Sequence, residues 1–352
     1  MKKNLIIVLF FSLNSFSQGL NFSKDFYEKG NFIELTRSIK PTKKSLSRYA
    51  STTHFQKGFS CVTHAIAQGL TILYTSSNRL KDKNEINSKS FSPYYGFINL
   101  MNDFNSGINI EDALNYTMNN GNPLIIDVEF DKFYPFNDNN ILNSMSKLTS
   151  KEIRNANESS AKFKLKSYKK ITTIEGVKQS ISKGFPVLYG VNYITPSLIA
   201  LYNCKTIDCY WRPSPEEKKS ENWGGHAMLI VGYDDDKEAV QVLNSWGKGF
   251  GNNGYFWIKY ENLFTGYIFF EECLLDTGSG NCLDYENKTV TKKLTTDRIE
   301  YEINRFENIY KVNLPRTNGF GYQAYSLEGF KYHKSFFYDE YTPLSIKDKC
   351  QW

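Results

Sequence analysis

The apolar residues of this chain change rhythm about halfway along it. Between residues 61 and 76, Val62, Ile66, Leu70 and Leu73 recur at intervals of three and four, the spacing that gathers side chains on one face of a helix. Residues 110–119 repeat the pattern with Ile110, Ala113, Leu114 and Met118, and Gly121 and Pro123 supply the stop. A third helix is predicted over 174–182, with Thr172 and Thr173 as caps, Glu175 in its first turn and Gly184 just past its end.

From Pro186 onward the pattern contracts to short apolar or aromatic runs at 186–191, 227–233, 239–243, 255–260 and 267–270, each bounded by Gly, Asn or Asp. Runs of this length between turn formers read as strands. A chain that is helical first and sheet-like second predicts an α+β architecture in which a helical half faces a β half.

The ends are patterned differently. Lys2 and Lys3, an apolar run from Leu5 to Phe11, and Ser15-Phe16-Ser17 read as a secretory signal over residues 1–17, which implies an exported protein. The apolar run is well short of the ~20 residues that cross a bilayer, so no stable membrane insertion is expected. Residues 18–44 are polar and unpatterned and read as a short leader. Residues 276–352 mix charged and aromatic residues without a usable period and carry no functional reading; the patterned domain runs over 45–275.

With 352 residues, 40% of them hydrophobic, the chain can bury one large core or two ordinary ones. The net charge of +6 is spread among acidic residues with no basic block, which argues against a nucleic-acid partner. The six cysteines are Cys61, Cys204, Cys209, Cys273, Cys282 and Cys350. If Cys61 is a working thiol, an odd number remains; the local pairs are Cys204 with Cys209 and Cys273 with Cys282, leaving Cys350. Cys204 and Cys209 lack a second ligand pair at zinc spacing, and no metal or cofactor is expected.

The chemistry centres on Cys61. Ser60-Cys61 opens an apolar helix, where unpaired N–H groups and the helix dipole favour a thiolate. Acyl transfer by a thiolate needs an imidazole to take and return a proton, and a third group to hold that imidazole. His226, at the mouth of an apolar strand behind Gly224 and Gly225, meets the first need. Asn244, ending the run before Ser245-Trp246-Gly247, meets the second, with Trp246 as a shield from water.

Taken together, Gln56-Lys57-Gly58-Phe59-Ser60-Cys61, Gly225-His226-Ala227 through Val231-Gly232-Tyr233, and Asn244-Ser245-Trp246-Gly247 with Gly251-Asn252-Asn253-Gly254-Tyr255-Phe256 resemble the papain-like (C1) cysteine peptidases. The resemblance covers about residues 45–275 and includes Phe91-Ser92-Pro93-Tyr94-Tyr95. It implies two lobes with the active-site cleft between them, the helical N-terminal lobe carrying Cys61 and an antiparallel, barrel-like C-terminal lobe carrying His226. It also implies protein or peptide substrates, a monomer, Gln56 as an oxyanion-hole donor, and substrate contacts at Gly107, Gly225 and Trp246.

The chain departs from the family pattern at four places. Gln56 is one residue closer to the cysteine, Val62 stands where Trp is usual, the leader is short, and residues 195–223 form an insertion before the histidine. Two other readings remain: a restricted exopeptidase or amidase with one end of the cleft closed, and a papain-shaped peptide-binding protein without turnover.

Overall fold

The computed structural model describes residues 20–21, 32–33, 35, 40–56, 58–101, 107–128, 148–191, 194–214, 217, 225–263 and 322–330. The segment read as a signal, the strand expected at 267–270, Cys273, Cys282, Cys350 and most of residues 276–352 lie outside them.

The described strands are β1 (Leu20–Asn21), β2 (Lys43–Ser45), β3 (Ile108–Asn109), β4 (Tyr168–Lys170), β5 (Val187–Val191), β6 (Tyr210–Trp211), β7 (His226–Asp234), β8 (Ala239–Leu243), β9 (Tyr255–Lys259) and β10 (Tyr322–Leu327). Eight of them form one sheet, in the order β4-β10-β5-β7-β8-β9-β6 with β2 paired to the far end of β7. Neighbours run antiparallel except β6 and β9. The barrel-like lobe expected from sequence is thus a sheet that stays open.

Its spine is β7, buried from His226 through Tyr233. A strand covered on both faces needs an unbroken apolar run, which Ala227 to Val231 supplies. β9 alternates half-buried and buried residues, as a strand with one covered face does.

The helical lobe is built around the Cys61–Ser77 helix, buried along most of its length. Gly69 lets it approach the sheet: a Cβ there would lie 2.4 Å from Leu327 Cδ1 of β10. The Pro93–Leu100 and Ile110–Asn120 helices pack beside it, each capped by a side chain, Ser92 and Asn109. An edge-to-face cluster of Tyr74, Phe91 and Phe163, with Phe330 stacked on Phe91, ties this lobe to the end of β10. The α+β, two-lobed architecture expected from the sequence is the one found.

Pattern and structure agree on the helices Cys61–Ser77, Ile110–Asn120 and Ile174–Ser182 and on β5, β7, β8 and β9. Of the elements that the pattern does not predict, two stand out. The Ser150–Lys162 helix has few apolar positions, but its Thr149–Glu152 capping box is a readable start signal. β10, from the unread C-terminal stretch, sits inside the sheet between β4 and β5.

Candidate active site

Cys61 is the first residue of its helix and is fully buried. Its Sγ accepts a hydrogen bond from the backbone N–H of Ala227 at 3.4 Å. The helix tip of one lobe therefore meets the first turn of β7, beside His226, in the other. The N–H groups of the first helical turn have no partner within the helix, so negative charge on this sulfur is favoured.

The His226 ring is also fully buried, and its Nε2 lies 2.8 Å from Asn244 Oδ1. The same oxygen accepts the backbone N–H of Ser245 at 2.8 Å. Because a backbone N–H can only donate, this contact fixes which end of the Asn244 amide is oxygen, and the oxygen in turn requires a proton on Nε2. The lone pair of a neutral ring is then on Nδ1, which has no hydrogen-bond partner among the described residues. Burial pushes the imidazole down to about 4, opposed by the Asn244 bond, so the ring is neutral at neutral pH.

The pairing that brings these groups together is set by the sheet. β7 and β8 are antiparallel neighbours, with Leu229 opposite Leu243, so the start of one strand lies beside the end of the other. Trp246 continues past that end and stacks on His226, centroids 4.7 Å apart. Tyr202 stacks on Trp246 in turn, and Phe250 meets it edge-on. Tyr202 belongs to the insertion before the histidine, whose Cys204–Cys209 disulfide forms as the local spacing indicated.

Gln56 is buried and stitched to the same turn: its N–H donates to Ser245 O at 2.6 Å, and the Ser245 hydroxyl donates to Gln56 Oε1. With that oxygen engaged, the amide nitrogen faces the 58–61 side, where it lies 3.4 Å from Gly58 O. Ser245 acts through the side chain of Gln56, and such a hydroxyl leaves no spacing signal of its own in the sequence. Gly225 directly precedes His226, and Gly107 directly precedes β3.

A second histidine is buried nearby. His64 Nδ1 lies 3.0 Å from Ser60 O, and its ring meets Tyr94 edge-on. Burial pushes it down to about 3, with the Ser60 carbonyl opposing and His54 and His226 adding to the shift. Among the described residues no cluster of His, Cys, Asp or Glu could hold a metal ion, and no helix is long and apolar enough to cross a membrane.

Comparison with known proteins adds the following. The model of the papain family cysteine proteases matches residues 94–276, a stretch that begins after Cys61 and includes His226 and Asn244. An uncharacterized peptidase C1-like protein of Acanthamoeba polyphaga mimivirus is 32% identical over 104 residues, 28% of this chain and 32% of that protein. The match therefore spans about a third of that relative's length.

Among solved structures, xylellain, a cysteine protease from Xylella fastidiosa, superposes with a TM-score of 0.55 at 19% identity, covering 71% of this chain and 92% of that one. The procathepsin L2 proteinase of Tenebrio molitor larval midgut gives 0.51 at 19% identity over 70% and 75% of the two chains. Likeness at this level of identity speaks to the fold, which is papain-like in all three.

Proposed function

The chain belongs to the papain family of cysteine proteases and is a cysteine-type peptidase; from that premise we propose that it is exported and cleaves peptide bonds as a monomer through Cys61, His226, Asn244 and Gln56. The observation that carries the reading is the pairing of Cys61 Sγ with the Ala227 N–H while His226, one residue earlier, is held by Asn244.

In this reading His226 Nδ1 takes the thiol proton as Cys61 Sγ attacks the substrate carbonyl. The negative oxygen of the tetrahedral intermediate is met by the Cys61 backbone N–H and the Gln56 side-chain amide. Collapse of the intermediate breaks the C–N bond; His226 gives its proton to the departing amine and leaves an acyl group on sulfur as a thioester. Water then attacks the thioester with His226 as base, releasing the acid and restoring the thiol. Asn244 holds the ring for both transfers, and Trp246 keeps water from their hydrogen bond.

The test is Cys61→Ala. Peptide hydrolysis should vanish in a variant that keeps the wild-type circular dichroism spectrum; hydrolysis retained there removes the reading. Export is checked separately, by whether the protein recovered outside the cytoplasm has lost residues 1–17.

A further inference from the structure

Among the described residues, three donors meet the carbonyl oxygen of Ser60. The His64 backbone N–H reaches it at 2.9 Å, the ordinary first hydrogen bond of a helix. The Thr63 hydroxyl donates to it at 3.0 Å, and His64 Nδ1 lies 3.0 Å away. A carbonyl oxygen can only accept, so the ring proton of His64 is on Nδ1. Ser60, Cys61, Thr63 and His64 are each no more than 5% exposed, and water does not compete for these bonds. Tyr94, edge-on to the imidazole at 5.0 Å, holds the plane of the ring.

This oxygen belongs to the peptide unit whose N–H is that of Cys61. Hydrogen bonds accepted by a peptide oxygen draw electron density from its nitrogen, so the N–H on the other side of the same unit becomes a stronger donor. Two side chains tied to the oxygen also hold the peptide plane, which fixes the direction of that N–H before a substrate arrives. A donor that is aimed and polarised in advance is what a developing oxyanion requires.

We infer that Thr63 and His64 are positioning residues for the oxyanion hole, orienting and polarising the Cys61 N–H through the Ser60 carbonyl oxygen. The inference rests on the peptidase reading and gives a role to a buried imidazole that the reaction itself does not use. Neither side chain touches the substrate.

The test compares a step that builds charge on oxygen with one that does not. Hydrolysis of a peptide amide passes through an oxyanion. Alkylation of Cys61 by iodoacetamide forms a C–S bond, expels iodide and leaves the oxygen of the reagent neutral. Thr63→Val and His64→Phe each remove one donor while keeping a branched or ring side chain in place. Each should lower kcat about two- to eightfold, roughly a tenth to a third of the worth of one oxyanion donor, with KM and the alkylation rate unchanged. The double variant should lose roughly tenfold or more. His64→Asn is the conservative variant: Asn78, Asn99 and Asn120 each donate through Nδ2 to the carbonyl four residues back, and asparagine at position 64 should do the same and restore kcat.

A second readout needs no turnover. Serine precedes cysteine only at Ser60-Cys61, so serine labelled at its carbonyl carbon and cysteine labelled at nitrogen mark this peptide unit alone by NMR. The Ser60 carbonyl resonance should move upfield in Thr63→Val and in His64→Phe and return in His64→Asn. A folded double variant with unchanged kcat overturns the inference. So does one whose kcat and alkylation rate fall together, because the loss then lies in the thiol. Should the double variant fail to fold, the single variants decide by the same two rates. A chain that shows the carbonyl shifts yet cuts no peptide would sink the peptidase reading while leaving the polarised Cys61 N–H standing.

Discussion

Glu111 and Lys170 form an ion pair across the lobe boundary, Oε1 to Nζ 2.8 Å, with side chains only 8% and 2% exposed. Glu111 opens the Ile110–Asn120 helix and Lys170 ends β4, so the pair joins helix to sheet. The Tyr325 hydroxyl of β10 donates to the same carboxylate oxygen at 3.1 Å. Removing one partner leaves a buried charge uncompensated, a loss of about 3–5 kcal/mol. Lys170→Met should therefore lower the urea midpoint sharply, and adding Glu111→Leu to it should recover most of the loss. A single variant as stable as wild type would show that water reaches this pair.

The hydrogen bond from His226 to Asn244 makes a prediction with a direction in pH as well as in rate. Asn244→Ala should lower kcat about 10²-fold with little change in KM, since the ring is left in place but not held. The Asn244 contact raises the imidazole against the depression caused by burial, so its loss should move the acid limb of the kcat profile to lower pH. A limb that moves toward neutral pH would mean that Asn244 acts other than through the ring.

What could be read from sequence follows the division between contiguous and distributed information. Cys61, His226 and Asn244 each end or begin an element whose apolar period is visible in the chain, so their neighbourhood follows once the elements are paired. The contact between Leu20 and Gly190 is invisible by the same logic. One is a leucine in a polar stretch and the other a glycine in an apolar run, and only the fold brings them together. β10 escaped for a related reason: its place between β4 and β5 is fixed by partners far upstream, not by an alternation of its own.

Ser245 is predicted to be a positioning residue for Gln56. Its hydroxyl donates to Gln56 Oε1, which directs the amide nitrogen away from the turn. Gln56→Ala should cost about 10²–10³ in kcat if that amide meets the oxyanion. Ser245→Ala should cost less, roughly tenfold, and the double variant should be no worse than Gln56→Ala alone. Effects that multiply would place the serine in a separate role.

Stability should depend on pH through the two buried histidines. Both rings are pushed down in the folded protein, His226 to about 4 and His64 to about 3, from the ordinary value of 6.5. Above about pH 6.5 both states carry neutral rings and the full stability is present. Below it the unfolded chain takes up protons that the folded one refuses. The unfolding free energy should then fall by ~1.4 kcal/mol per pH unit for each ring, until the folded rings themselves titrate near pH 4 and pH 3. Urea unfolding between pH 7 and pH 4.5 reads this slope, and His64→Phe should remove about half of it. An unchanged slope in that variant would mean that acid sensitivity arises from groups other than these two rings.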